Sequence, residues 1–579
     1  MTKDKLPKDY VIYTGSNYND VVNGINGKIE YVILPGGDNK ITTAKNGGMF
    51  VDSLGTGSDS YDVMSLNKGT IINDSGGTSD YLKINNVNIK DFHILADVGN
   101  VNMVGYVNSS GISAVKKLKT DSVYHVTKTL KGIIDYNGSM EGVTLITSKG
   151  NATGILLSDV NNVSTGLRGE VQTVINYLKT TSGLIYKSAL DIMTAKTKGL
   201  SSSQKTALKT AQKTLTEVYK TSFIGNSEDN TYTIKSGNHY LGSGTGNDKF
   251  TFSGKLGYKD DLNRTVHQTL INSTTLNGQT DNILLKNYSL EQKTLNANFD
   301  FTKNQLMLSA FDSDKNGNYI TEIGYTNDSL KNKENQLLLK DKKKTYDIVV
   351  YDKVCTEEWM SASEKTKNHL AFFDTTEKVT VNSNKGYNLI VSESSAAVDA
   401  NRGSLTYKYN GGHDIVQSLS AYSNDTYSVD FGANTDVVIT DNGGADTLTL
   451  MSSTKSKFGV DSLRLMLNVQ YNKQTGLYEK GSYSLVDKSN VNKGNIVVQE
   501  NVFNVKKGLT VEGTMENVKV AKDDINMDNW INYISERVET FLKISGYDSS
   551  ASVFENGSKQ DINSLIEIYN TGYSNILNA

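Results

Sequence analysis

The sequence predicts a mostly β protein. It is read as three related β-roll or β-solenoid-like units with flanking antiparallel strands, a helical hairpin insertion and C-terminal helices. Three observations predict this. A strand, Gly-rich turn, Asp, strand segment recurs three times behind a common upstream anchor. Within each unit, Asp or Asn returns at short intervals ahead of a short alternating apolar run. The composition joins 50 Gly to 2 Pro in 579 residues, which supplies turns while leaving strand N–H groups able to pair.

Length and charge narrow the function classes. A chain of 579 residues is too long for one core, so two to four domains are expected. Lys and Arg number 60 against 63 Asp and Glu, a formal charge of −3, which argues against a general nucleic-acid binder. The single cysteine, Cys355, cannot form an intrachain disulfide and excludes a Cys-based zinc site. Tyr outnumbers Phe, 32 to 15, as expected of hydrated sheet surfaces. No run approaches the ~20 apolar residues of a membrane-spanning helix. The start, Met1-Thr2-Lys3-Asp4-Lys5-Leu6-Pro7, is followed by no apolar h-region, so a Sec signal is not expected. The chain then stays in the cytosol or leaves by a route that does not read its N-terminus.

The first unit spans 1–155. Its anchors are Tyr10-Val11-Ile12-Tyr13-Thr14-Gly15 and Ile71-Ile72-Asn73-Asp74-Ser75-Gly76-Gly77-Thr78-Ser79-Asp80-Tyr81-Leu82. A helical hairpin connector follows at 156–226. Val171, Val174, Ile175 and Leu178 make one apolar stripe, and Leu208, Ala211, Leu215 and Val218 make the other. Ser201-Ser202-Ser203-Gln204 is a capping-box pattern ahead of the second helix. The second unit spans 227–354, with Tyr232-Thr233-Ile234 and Leu270-Ile271-Asn272 through Asp281-Asn282-Ile283 as anchors. A short helical linker is expected at 355–376. The third unit spans 377–520, anchored by Lys378-Val379-Thr380-Val381 and Val438-Ile439-Thr440-Asp441-Asn442-Gly443-Gly444-Ala445-Asp446-Thr447-Leu448. A third anchor is shared by two units, Gly138-Ser139-Met140-Glu141-Gly142-Val143 and Gly513-Thr514-Met515-Glu516-Asn517-Val518. In the third unit Asp414, Asp425, Asp436 and Asp446 stand at steps of 11, 11 and 10 residues. In the first, Asp20 and Asp38 are 18 apart, as are Asp62 and Asp80. The region 521–579 is read as a C-terminal helical cap. There Asp528 is a plausible N-cap, and Trp530, Ile534, Val538, Phe541 and Leu542 share a stripe.

Gly242-Ser243-Gly244-Thr245-Gly246-Asn247-Asp248-Lys249-Phe250, Gly36-Gly37-Asp38-Asn39-Lys40-Ile41 and Gly443-Gly444-Ala445-Asp446-Thr447-Leu448 resemble one nonapeptide. It is the G-G-x-G-x-D-x-U-x signature of the repeats-in-toxin, or haemolysin-type calcium-binding, family, in which U is a large apolar residue. The repeats are degenerate, with no uninterrupted run of perfect nonapeptides. The resemblance implies Ca²⁺ held by turn carbonyls and carboxylates. By motif match the ligands would be Asp38, Asp248 and Asp446, joined by Asp20, Asp62, Asp80, Asp414 and Asp436 from weaker turns. The alternative for each is a turn former bonding its own backbone. The order of Trp530, amphipathic helix, Gly546-Tyr547 and short apolar pairs also looks like the tail of type I-secreted members. It implies recognition of residues 521–579 by a type I secretion channel.

Asp312-Ser313-Asp314-Lys315-Asn316-Gly317 follows the D-x-D-x-N-G spacing of calcium loops. Asp312, Asp314 and Asn316 are therefore further candidate ligands. The Glu of an EF-hand should stand at loop position 12, which is Ile323, and the flanks read as strands, so a plain polar hairpin competes. Asp74-Ser75-Gly76-Gly77 has the look of a serine-protease nucleophile turn. Its sister copy carries Asn442 in place of the serine, which points to a structural turn. The six histidines form no H-E-x-x-H pair, and no G-x-S-x-G elbow or phosphate loop occurs. The expectation is a secreted, non-catalytic, calcium-binding bacterial cell-surface protein with a surface-layer-like structural or adhesive role. It would self-associate or bind cell-surface components. The alternatives are the C-terminal module of a secreted toxin or adhesin, and a secreted polysaccharide-acting β-solenoid enzyme.

Overall fold

The computed structural model describes residues 10–89, 92–95, 103–106, 133–137, 142–146, 152–331, 336–351, 367–375, 378–393, 403–420, 423–472, 477–488, 494–503, 511–512, 515 and 517–525. Among these the protein is mostly β, with parallel sheets and three helices. The chain divides into two compact units. One comprises 1–329 and 340–343, the other 330–339 and 344–579.

In the first compact unit, successive strands are dealt alternately to two parallel sheets. Tyr10–Thr14, Ile29–Leu34, Gly48–Ser53 and Thr70–Asp74 form one; Val21–Asn23, Lys40–Thr42, Ser60–Val63 and Tyr81–Asn85 form the other. The register stacks like on like, as in the row Val22, Ile41, Tyr61 and Leu82. Alternate residues of the short strands are buried, Tyr61 and Val63 then Leu82 and Ile84. They join Val32, Val51 and Ile72 of the facing set in one apolar cluster, which is what a period-2 pattern dictates. After Asn85 the strands Phe92–Ile94, Met103–Tyr106 and Ile133–Asn137 run antiparallel, and the last rejoins Thr70–Asp74 in parallel. Gly142–Ile146 then pairs in parallel with Tyr81–Asn85.

The plan recurs. Phe223–Asn226, His239–Thr245 and Val266–Thr274 alternate in sequence with Thr231–Ile234, Lys249–Phe252 and Asp281–Leu285. An antiparallel meander, Leu295–Asp300, Gln305–Asp314 and Gly317–Thr326, closes by pairing its last strand in parallel with Val266–Thr274. In the second compact unit, Asn368–Asp374, Tyr387–Glu393, His413–Ser418 and Asp436–Asp441 alternate with Val379–Asn382, Leu405–Tyr409, Thr426–Asp430 and Thr447–Met451. Again a meander, Leu463–Asn472, Leu477–Asp487 and Asn495–Phe503, ends in parallel on Asp436–Asp441. The shared Val143 and Val518 anchor falls on equivalent strands. Gly142–Ile146 and Asn517–Val520 each continue the second sheet of their set.

Among the described residues, three helices belong to the first compact unit: α1 (Leu157–Ser182), α2 (Ala189–Thr194) and α3 (Ser202–Thr221). The Ser201–Gln204 capping box forms as its spacing requires, with the Ser201 hydroxyl accepting the Gln204 N–H and the Gln204 side chain accepting the Ser201 N–H. Both expected stripes are buried, except that Ile175 is only partly covered. Within the expected helical linker, Asn368–Asp374 is a strand, while 352–366 lie outside the described residues. Of the region 521–579 expected to be a C-terminal helical cap, Asp523–Ile525 is instead a strand paired antiparallel with Asn517–Val520. Residues from 526 onward lie outside the described residues, as do 473–476.

Candidate metal centre

The residue just before a strand of the second sheet is usually Asp or Asn: Asp20, Asn39, Asp59 and Asp80 in the first set, Asn230 and Asp248 in the next, Asp425 and Asp446 in the last. These side chains form a ladder along the stacked turns. The Asp20 N–H donates to Asn39 Oδ1 (3.0 Å), Asn39 N–H to Asp59 Oδ1 (2.8 Å) and Asp59 N–H to Asp80 Oδ1 (2.7 Å). The same bond joins Asn230 to Asp248 (2.8 Å), Asp248 to Asp281 (2.8 Å) and Asp425 to Asp446 (2.7 Å). A second ladder lies one residue earlier and runs the other way. Asp38 N–H donates to Asn19 and Ser58 N–H to Asp38, Asn247 N–H to Asp229, and Ala445 N–H to Asn424. Side-chain bonds of this kind, from both Asn and Asp, satisfy turn amides.

Glycine permits the close stacking. A Cβ on Gly444 (φ +142°) would lie 1.7 Å from the Ser423 carbonyl oxygen. No L-residue with a side chain fits there without moving the turn below.

At the inner ladder a third carboxylate arrives from the other sheet. Asp441 ends its strand beside Ser418, and Asp74 ends its strand beside Ser53. Asp425, Asp441 and Asp446 are all buried, with one oxygen of each within 4.8 Å of the others. The Tyr427 hydroxyl donates to Asp441 Oδ2 (2.5 Å), Ser423 Oγ donates to Asp425 Oδ2 (3.1 Å), and Gly443 N–H donates to Asp441 Oδ1 (3.0 Å). Burial pushes both Asp425 and Asp441 above the usual carboxylate range, and the charge of Asp425 adds to the effect on Asp441.

The first set repeats the hydrogen-bond pattern, although among the described residues only Asp425, Asp441 and Asp446 bring three carboxylates within 4.8 Å of one another. The Tyr61 hydroxyl donates to Asp74 (2.6 Å) and Asp59 (3.1 Å), Ser53 Oγ to Asp59 (2.5 Å) and Gly76 N–H to Asp74 (3.0 Å). The middle set lacks the third carboxylate. Ser273 stands where Asp74 and Asp441 stand, Phe250 replaces the tyrosine, and Asp281 accepts the hydroxyls of Ser273 and Tyr325, both at 2.6 Å. Asp248 there is pushed up to about 7 by burial and the nearby charge of Asp281. Three close carboxylates in a dry turn either hold protons or gather a cation. With hydroxyl and carbonyl oxygens adjacent, the donor set is the all-oxygen kind that hard cations take.

Of the sequence candidates, Asp80, Asp248 and Asp446 lie in the inner ladder and are buried, and Asp20 begins it. Asp38 is exposed in the outer ladder. Asp62 faces outward from mid-strand, 3.2 Å from Lys83 Nζ. Asp414 and Asp436 sit at the opposite turn from Asp425 and Asp446. Asp414 accepts Asn388 Nδ2 (2.7 Å) and the Tyr407 hydroxyl, and Asp436 pairs with His413. The steps of 11, 11 and 10 are thus half-circuits, and the ladder period is the 21 residues from Asp425 to Asp446. Asp312 and Asp314 flank a hairpin tip and bond outward neighbours. Asp312 accepts Gly257 N–H and the Tyr288 hydroxyl, while Asp314 accepts Asn316 N–H and the Tyr319 hydroxyl. Asn316 enters that pair only through its backbone N–H.

Sequence reasoning did not name Asp59, Asp74, Asp281, Asp425 or Asp441 among the candidate ligands. The signal was present as Asp-x-Tyr (Asp59-Ser60-Tyr61 and Asp425-Thr426-Tyr427), followed by an Asp two residues before the Gly-Gly pair (Asp74-Ser75-Gly76-Gly77 and Asp441-Asn442-Gly443-Gly444). No protein-family model matches the chain, and no curated protein matches it.

Proposed function

We propose that this is a secreted, non-catalytic, calcium-binding bacterial cell-surface protein. It is related to the repeats-in-toxin family, and its alternating strand sets are turns of β-rolls. The roll reading is supported by the regular dealing of successive strands to two parallel sheets in stacked register. One observation carries the calcium reading. The Asp–Tyr–Asp–Asp hydrogen-bond pattern is built twice at equivalent turns, and at Asp425, Asp441 and Asp446 its oxygens converge within 4.8 Å. Calcium there would screen the repulsion of buried carboxylates and tie two strand layers and a turn together. The role is structural or adhesive, by self-association or by attachment to surface components, after export through a type I channel that reads 521–579.

The test is a thermal melt by circular dichroism with sedimentation velocity, first in EDTA and then in millimolar Ca²⁺. Saturating calcium is expected to raise Tm by roughly 5 °C or more and to promote association; Asp441→Asn is expected to lose most of the shift. Identical melts and sedimentation with and without calcium would refute the reading. Deletion of 521–579 is expected to abolish export beside a type I channel.

A further inference from the structure

The first compact unit holds a cavity of about 690 Å³ between α1 and the open face of the Val266–Thr274 and Gly317–Thr326 strands. That face alternates along its length. Val266, Gln268, Leu270 and Asn272 lie on it, while His267, Thr269, Ile271 and Ser273 are buried behind. Same-face neighbours are roughly 6.6 Å apart, so an apolar step separates each pair of polar ones. The adjoining strand sets Glu322 beside Gln268 and Thr326 beside Asn272, with Gly324 between. The Gln305 amide lies against Gly324 and donates to Thr326 Oγ1 at 3.2 Å.

The cations of the wall already have carboxylate partners. Glu170 on α1, with its side chain 2 % exposed, accepts Arg264 Nη1 at 2.9 Å and Asn238 Nδ2 at 2.8 Å. Asn238 Oδ1 in turn accepts the Gln268 N–H, and Arg264 Nε donates to Asp260. Lys303 at the rim is 3.1 Å from Asp300. The cations are thus engaged, and Glu322 adds an acceptor that opposes an anion. What fits is a neutral molecule with hydroxyls on its edge and C–H groups on its faces, met by amides and a carboxylate around small apolar patches.

We propose that this cavity binds a neutral saccharide, with a pyranose ring against Leu270 and its hydroxyls bonded to Gln268 and Glu322 on one side and Asn272 and Gln305 on the other. The inference does not rest on calcium binding. Gly169 gives a clean block: it lines the cavity from α1, and a Cβ there meets no atom within 4 Å. Gly169→Leu fills the space while improving helix propensity.

The test is affinity electrophoresis of the full chain, in EDTA, through gels containing a soluble glucan, galactan or mannan, or polygalacturonate. At least one neutral polymer is expected to retard the protein. Gly169→Leu should abolish that retardation, and Gln268→Ala should weaken it by about 10-fold, both with unchanged circular dichroism. No retardation by any neutral polymer, equal retardation of wild type and Gly169→Leu, or a preference for polygalacturonate would each overturn the proposal.

Discussion

Asp414 is 0 % exposed, and burial pushes its carboxyl up to about 7, against hydrogen bonds from Tyr407 and Asn388 and the neighbouring His413. An acid near 4 when unfolded and near 7 when folded binds its proton more tightly in the folded chain. Its stabilising share is therefore complete below about pH 4. It falls as pH rises toward 7, by about 1.4 kcal/mol per pH unit, and stays lost above. Asp414→Asn keeps an acceptor for Asn388 and removes the titration. In urea unfolding the variant is expected to gain on wild type steadily from pH 4 to 7 and then run parallel; a constant difference across that range would show that Asp414 does not titrate. At this scale the sequence was only half legible. Asp next to a strand start marked the turn positions, and Asp80, Asp248 and Asp446 do occupy the ladder. Asp62 has the same local sequence logic and faces solvent, because period 2 fixes which face a residue takes only once register is known.

At the scale of elements, the turns are held by contact with the turn below rather than by local preference alone. Gly444 and Gly278 both have positive φ, +142° and +83°, but a Cβ on Gly278 meets nothing within 4 Å. Gly278→Ala is expected to cost about 1 kcal/mol, the backbone penalty alone. Gly444→Ala should cost roughly 3 kcal/mol or more, because a carbonyl must also move. Urea midpoints of the two variants check this, and equal costs would show that the stacked turns have slack. Helix α3 was legible to its cap, since Ser201 and Gln204 act within one turn of chain. The hairpins of the second and third meanders were legible as corresponding, but the return of each meander to its parallel sheet was not. That closing pairing joins residues far apart in sequence, Val266 with Ile320 and Asp436 with Asn495, and the two hairpins differ in sequence, Asp312 through Gly317 against Tyr471 through Gly476.

Across the whole molecule, likeness to the nonapeptide signature does not track the chemistry of the turns. The middle set carries the closest match to the nonapeptide signature, yet its inner turn has Ser273 and Phe250 where the others have Asp and Tyr. Calcium is accordingly expected to act unevenly. In hydrogen exchange, millimolar Ca²⁺ should raise protection over Thr426–Asp430, Asp436–Asp441 and Thr447–Met451, and over Ser60–Val63 and Thr70–Asp74. Protection over Lys249–Phe252 and α3 should stay as in EDTA. A uniform rise would place binding elsewhere.

The sequence by itself determined what is local or periodic: a mostly β chain, the order of three repeated segments, a capped helix, and turns punctuated by Gly and Asp. Those properties follow from φ preferences, side-chain alternation and short-range hydrogen bonds, all written within a few residues of chain. Tertiary structure alone decided which carboxylates meet. Asp441 reaches Asp425 and Asp446 from the other sheet, and only the register of stacked strands brings them together. It also decided that Glu170, from a helix, and Gln268, from a strand, border one cavity, a juxtaposition that no spacing in the sequence encodes.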